Sequence, residues 1–455
     1  MRVSPDQRDR ALATLSGETE LPGILRFGCW SRRPIRTRID DEGLGEGYRG
    51  PCRVKMHRML SRRVLATDTP VMVQMQQLLR GTTDVMSLAQ GVVFWKPPPK
   101  ALAVIKEAIE EPICSKYGAD DGLPELRSAL VEKLGRENKL YKSDVMVTAG
   151  ANQALVNLVL TLCDPEDSVV MFVPYYFNAY MACQMTGVTD IRLGPSDAEN
   201  LHPDADWLEE TLQGKNGKSV PKLVYVVNPG NPSGTYVPQP LLKRISELCR
   251  QAGSWLIVDN TYEYFMYDGR QHTCEEGDHI LNVFSFSKAH GMMGWRIGYI
   301  AYPSSVEGLG AQLLKVQDNI PICPSIIGQK LALAALDVGP DWVREKVGKL
   351  VVNREIIFDA LSPLGRSSVK GGEGAIYMWA KLPERATDDV AVTHWLVHRH
   401  GVSVIPGSAS GVPGYIRVSY GGLDEPNCRS AAARLKKGLD ELVQSGMVES
   451  SASAR

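Results

Sequence analysis

Lys288 follows the run Phe284-Ser285-Phe286-Ser287, and that setting gives the residue its chemical interest. An amine at the end of an apolar strand, beside hydroxyls and small residues, is partly desolvated, and its neutral form can attack an aldehyde. A lysine taken alone faces solvent. Here Gly291, Gly294, Trp295, Arg296, Ile297 and Gly298 crowd in behind it. Upstream, Asn228-Pro229-Gly230-Asn231-Pro232-Ser233-Gly234 carries two Asn-Pro units and two glycines. That is more than an ordinary turn needs, and a cis peptide before Pro232 is expected. Asp259 closes another apolar run, with Tyr262 three residues on; an aspartate so placed also serves as a helix cap. In Thr148-Ala149-Gly150-Ala151-Asn152-Gln153, small residues lead into a helix whose free N–H groups and dipole suit a phosphate. Many strand-to-helix turns share that feature.

The elements that must position these residues are legible from about residue 144. Short β-branched runs at 145–148, 168–173, 222–227, 255–258 and 281–286 are separated by helical stretches at 155–162 and 241–251. Near-continuous apolar strands alternating with helices predict an α/β fold, a mostly parallel sheet covered on both faces. In such a sheet ligands gather at the carboxyl ends of the strands, where the polar residues above fall. Pro238 and Pro240 mark the start of one helix and Gly253 its end. After about residue 325 helical patterns dominate, with short strands near 376–380 and 415–418, which predicts a second, smaller α+β domain.

Composition narrows the function classes. A net charge of -1 provides no field for nucleic acid or anionic lipid, so no nucleic-acid or membrane partner is expected. No apolar run approaches the ~20 residues of a membrane helix. Nine scattered cysteines without a CxxC pair read as reduced thiols and a cytoplasmic setting. Residues 1–58 are rich in arginine and lack periodicity, and they read as a poorly ordered extension. A transit peptide, with an organellar location, is the alternative, against which stand Asp40, Asp41, Glu42 and Glu46; an upstream translated segment ending near Met56 or Met59 is a third. Gly45-Glu46-Gly47-Tyr48-Arg49-Gly50 matches GxGxxG in letters without the strand and helix that give that motif meaning. His394, His398 and His400 lie on one predicted helix with no carboxylate or cysteine to complete a metal site, and no metal is expected. Tyr262, Tyr264, Phe265 and Tyr267 read as packing beside a ligand site.

Asn231-Pro232-Ser233-Gly234, Asp259 with Tyr262, Ser285-Phe286-Ser287-Lys288, Arg296 and Arg417 occur in an order that resembles the class I and II aminotransferases of fold type I. The resemblance spans roughly residues 59–449. The stretches Ser87-Leu88-Ala89-Gln90-Gly91-Val92-Val93, Val258-Asp259-Asn260-Thr261-Tyr262-Glu263-Tyr264-Phe265 and Gly371-Gly372-Glu373-Gly374-Ala375-Ile376-Tyr377 look like the plant-type aromatic aminotransferases that use methionine as amino donor. The resemblance implies pyridoxal phosphate as cofactor, held by Lys288 through a Schiff base, with Lys288 also carrying the catalytic proton. It further implies Asp259 against the pyridine nitrogen, Asn231 and Tyr262 at the phenolic oxygen, and Tyr176 on the ring face. Gly150, Ala151, Asn152, Ser285 and Arg296 would hold the phosphate, Arg417 the substrate carboxylate, and Gly91 would approach the substrate through its backbone. Tyr117, in Tyr117-Gly118-Ala119-Asp120-Asp121-Gly122, would reach a partner subunit's cofactor in a homodimer. Phe94, Trp95 and Tyr176 are expected on an apolar side-chain pocket, core packing being the alternative for the first two.

The expected organisation is an extension over 1–58, an arm and part of the small domain over 59–111, a large cofactor-binding domain over 112–324, a small domain over 325–447, and a tail. The expected reaction is amino-group exchange between aromatic amino acids or methionine and 2-oxo acids. A lyase or synthase on the same scaffold, or a binding protein that kept the fold, are the alternatives.

Overall fold

The computed structural model describes residues 60–214 and 219–447; the extension read over 1–58, its GxGxxG match and the tail from 448 lie outside the described residues. Seven strands form the main sheet: β1 (Ser143–Thr148), β2 (Ser168–Phe172), β3 (Asp190–Gly194), β4 (Leu223–Val227), β5 (Trp255–Asp259), β6 (Ile280–Ser285) and β7 (Gly298–Pro303). Their order is β1-β7-β6-β5-β4-β2-β3. All neighbours run parallel except β7, which is antiparallel to both β1 and β6. The five expected strands are present within two residues, and β3 and β7 are additional. β3 reads Asp-Ile-Arg-Leu-Gly with alternating exposure, the polar character of an edge strand. β7 is buried throughout, yet Gly298 and Pro303 at its ends mask its pattern.

Burial on both faces explains why β2 is apolar at every position after Ser168, and β4 throughout apart from the Tyr225 hydroxyl, rather than at alternate ones. One face packs Met146, Leu155, Leu158, Ile257 and Leu281. Against the other, Val224, Leu256 and Val258 meet Leu242, Ile245 and Cys249 of the helix Gln239–Ala252. Each such side chain contributes ~1.5–3 kcal/mol of transfer free energy. The helix begins after Pro238 and ends at Gly253, whose φ of 71° is the left-handed cap glycine allows. The helix expected at 155–162 starts earlier, as Ala151–Leu162. Gly150, at φ 87°, turns the chain into it so that its first N–H groups stand at the mouth of the sheet.

A second, antiparallel sheet contains β8 (Val369–Gly371), β9 (Tyr377–Lys381), β10 (Ile405–Pro406) and β11 (Tyr415–Ser419), in the order β10-β11-β9-β8. The helices Pro340–Ala360, Asp389–His400 and Glu425–Ser445 cover it through Leu350, Ile357, Leu396, Leu435 and Leu439. Met86–Ser87 pairs in parallel with Val402–Ser403, and Leu88 O accepts from Ser419 N at 2.8 Å. The segment leading to Gly91 is thereby laid along the second sheet.

Candidate active site

The carboxyl ends of β2, β4, β5 and β6, the start of the helix Ala151–Leu162 and strand β11 close around a cavity of about 360 Å³. Lys288, Asp259, Tyr262, Asn231, Tyr176, Ala151, Asn152, Ser285, Arg296, Arg417 and Gly91 all line it. Eleven of the residues singled out in the sequence, drawn from a span of more than three hundred residues, thus share one space.

Lys288 lies three residues past β6. Ser285 Oγ accepts from Ser287 N at 3.1 Å, and Met292 N donates to Ser287 O at 2.9 Å, which folds the loop back over the sheet end. The amine is half-buried and makes no hydrogen bond among the described residues. Burial, then the Arg296 charge, push its ammonium down to about 8, against the opposing pull of Asp259. A substantial neutral fraction is therefore present near physiological pH.

Asp259, at the end of β5, is buried. Its Oδ1 accepts from Thr261 N at 3.0 Å and its Oδ2 from Tyr225 Oη at 2.8 Å. Tyr225 is a site residue that sequence reasoning missed. Its one signal was a lone hydroxyl in the apolar strand β4; burial and the Asp259 charge hold its pKa well above the phenol range, so it remains a donor to the carboxylate. Asn231 follows β4 in a turn closed by Val237 N donating to Asn228 Oδ1 at 2.9 Å. The expected cis bond at Asn231-Pro232 is present, with others at Asn228-Pro229 and Val173-Pro174.

Arg417 is buried on β11. Its Nη1 donates to Asn231 Oδ1 at 2.9 Å and its Nη2 to Ala89 O at 2.7 Å, while Nε is buried with no partner. A buried guanidinium holding unused donors at a cavity wall is poised for a carboxylate from outside the chain. Tyr262 Oη stands 2.5 Å from Tyr377 Oη, and Tyr377 is a second residue not singled out beforehand. A Cβ at Gly91 would strike the Tyr377 hydroxyl. Glycine there lets the backbone close onto the cavity.

At the other end, Arg296 adopts φ 56° and donates to Met293 O at 2.8 Å and Ala149 O at 3.3 Å. A Cβ at Gly150 would meet its guanidinium, so Gly150 supports the site without lining it. The amides of the helix Ala151–Leu162 and Arg296 together make an anion cradle. Tyr176 precedes the helix Phe177–Thr186; burial pushes its phenol up to about 12, and its oxygen accepts from Asn178 Nδ2 at 3.0 Å.

One expectation needs correction. Trp95 donates to Ala289 O at 3.3 Å and stacks on Phe265, and Phe94 lies at the surface; neither lines the cavity, whose apolar wall is Met72, Val92, Leu155 and Phe177 instead. Trp95 is buried in the hydrophobic core beside Phe265, and Phe94, next to it, is exposed. Tyr117 is 77% exposed and outside the cavity of its own chain. Among the described residues no group of His, Cys, Asp or Glu could hold a metal; His400 packs on Trp395 and approaches Glu441 at 3.4 Å.

An amine for an aldehyde, a buried carboxylate for a protonated ring nitrogen, hydroxyl and amide groups beside it, an aromatic side chain and an anion cradle fit pyridoxal phosphate. The unpartnered Arg417 donor fits a substrate carboxylate in addition. The fold and this cavity define a fold type I pyridoxal-phosphate enzyme. The family profile described as Aminotransferase class I and II matches residues 83–435, and the chain belongs to that family. It is a pyridoxal-phosphate-dependent transaminase. It is 65% identical over 391 residues to the aromatic aminotransferase ISS1 of Arabidopsis thaliana, covering 86% of this chain and 99% of that protein. A probable aspartate/prephenate aminotransferase of Aquifex aeolicus is 30% identical over 72% of this chain and 84% of its own. Among solved structures, an aromatic aminotransferase from Pyrococcus horikoshii superimposes with a TM-score of 0.72 at 26% identity, over 80% of this chain and 98% of that one. The Thermus thermophilus aspartate aminotransferase with maleate gives 0.73 at 28% identity, over 83% and 99%.

Proposed function

We propose that the protein exchanges amino groups between aromatic amino acids or methionine and 2-oxo acids, such as phenylpyruvate and indole-3-pyruvate, in a ping-pong reaction. The observation that carries the substrate class is the charge of the wall. Among the described residues of one chain, the cations lining the cavity are Lys288, Arg296 and Arg417, and in this reading anchor, phosphate and α-carboxylate occupy all three. None of these three is left for the side-chain carboxylate of aspartate, while Met72, Val92, Tyr176 and Phe177 offer apolar contact. The likeness to a protein named as an aromatic aminotransferase supports the same class.

Bound pyridoxal phosphate supplies an aldehyde carbon that takes the amino group and a protonated ring that accepts electrons from the α-carbon. Lys288 would anchor the cofactor through its amine and, as the base lining the cavity, would hold and move the proton at the substrate α-carbon. Asp259, its carboxylate held in place by Tyr225, would keep the ring nitrogen protonated. Asn231 and Tyr262 would bind the phenolic oxygen, and Tyr176 would hold the ring face. Ala151, Asn152, Ser285 and Arg296 hold the phosphate over the turn that Gly150 permits. Arg417 takes the α-carboxylate bidentately, with Gly91 giving backbone approach. Tyr117 serves the partner's site in a homodimer. The large unit over 112–324 and the small one over 325–447 follow the two sheets, with 59–111 as arm. A cytoplasmic setting goes with the scattered thiols, an organellar one with a transit role for residues 1–58.

The test is a panel of amino donors with phenylpyruvate as acceptor. One apolar side chain buried in a matching pocket is worth ~1.5–3 kcal/mol, so phenylalanine, tyrosine, tryptophan and methionine should exceed alanine in kcat/KM by about tenfold or more. Highest efficiency with aspartate or alanine would overturn the substrate class.

A further inference from the structure

Tyr377 opens β9 and is 1% exposed. In the β9–β11 pairing Trp379 faces Arg417, so Tyr377, two residues earlier, shares a sheet face with Arg417 as a diagonal neighbour. Its ring centroid lies 4.5 Å from Arg417 Cζ, and Phe177 stands at 5.4 Å from the same atom. Two ring faces thus set the plane of the guanidinium. The hydroxyl of the same tyrosine lies 2.5 Å from Tyr262 Oη, with the two rings edge to face at 78°. Gly91 backs this hydroxyl so closely that no Cβ fits between them.

We infer that Tyr377 is a positioning residue that links carboxylate binding at Arg417 to the hydroxyl of Tyr262. The inference rests on the proposed roles of Arg417 and Tyr262. Tyr262 has one proton. When it donates that proton to the cofactor's phenolic oxygen, its own oxygen accepts from Tyr377. The Tyr377 hydroxyl then polarises the Tyr262 O–H and strengthens its donation, favouring the ionised phenolic oxygen. The Tyr377 ring meanwhile holds the guanidinium in the orientation a carboxylate needs. One side chain therefore separates into two roles, a ring for substrate binding and a hydroxyl for the cofactor's protonation.

The holoenzyme tests both. In Tyr377→Phe the ring is kept, so the Kd of the unreactive carboxylate 3-phenylpropionate should change less than about threefold, as expected for a stacking contact left intact. The pH midpoint of the bound cofactor's absorbance should rise by about half a unit or more with the loss of one polarised hydrogen bond. In Tyr377→Leu the analogue should bind about tenfold more weakly, since ring and orientation are lost together. Gly91→Ala should cut kcat/KM at least about tenfold, and the double variant Gly91→Ala/Tyr377→Phe should recover part of that loss, the non-additivity of residues in contact. Arg417→Leu is the reference. Unchanged analogue affinity in it would overturn the carboxylate role and this inference with it. Lost affinity there, with an unmoved midpoint in Tyr377→Phe or no recovery in the double variant, would overturn the Tyr377 role alone.

Discussion

Lys288 shows how one residue's surroundings translate into two measurable behaviours. In the proposed function, anchoring and proton transfer converge on this one amine, so Lys288→Ala is expected to lose turnover by at least about three orders of magnitude while staying folded. Near wild-type rates in stopped-flow half-reactions would end that role. The second behaviour is seen without cofactor. Folding lowers the ammonium from 10.5 to about 8, so between those values the unfolded chain holds a proton the folded chain does not. Stability therefore rises with pH across that window, and the gain is absent below pH 8, where both states are protonated. Urea titrations of the cofactor-free protein from pH 7.5 to 10 should show a steeper rise for wild type than for Lys288→Met. Parallel curves would mean that the amine is not desolvated.

The turn after β5 depends on a buried ion pair from another element. Lys133, the last residue of the helix Pro124–Lys133, donates to both carboxylate oxygens of Glu263 at 2.6 Å and to Asn138 Oδ1 at 2.8 Å. Asn138 Nδ2 donates to Glu263 Oε2 at 2.6 Å. Glu263 is next in sequence to Tyr262, so this cluster anchors the segment that aims Tyr262 at the cavity. Lys133 is 2% exposed, and removing it strands a carboxylate. Lys133→Met should cost about 3–5 kcal/mol in urea unfolding, and Lys133→Met/Glu263→Leu distinctly less, because it is the unpaired charge that is expensive. A double variant less stable than the single one would refute this account. Nothing in the spacing of residues 133 and 263 foretold the pair: the long charged side chains meet only because the helix lies across the sheet.

At the scale of the whole molecule, the exposed Tyr117 is the residue whose proposed role a single chain does not complete. An aromatic ring left 77% exposed suits a surface that a second copy would cover, and a two-fold dimer would exchange such residues reciprocally. Mixing Tyr117→Phe with Lys288→Ala subunits yields hybrids having one site free of both changes. Their activity should exceed that of either parent preparation. Equal activity, or an active monomer by light scattering, would remove Tyr117 from the site.

Local pattern was enough to show the alternation of apolar strands with helices, because a strand buried on both faces must be apolar throughout. It was enough, too, to place Lys288 and Asn231 past strand ends and Asp259 at one, since a polar residue there is a departure from the strand's own pattern. The edge strand β3 and the antiparallel β7 escaped notice because Asp, Arg, Gly and Pro interrupt them. Only the tertiary structure joined Tyr225 to Asp259, and Tyr262 to Tyr377 across 115 residues. It also put Met72 and Phe177, rather than Phe94 and Trp95, on the cavity wall. Those contacts are set by strand register and by how the second sheet meets the first, and neither leaves a periodicity in the residues themselves.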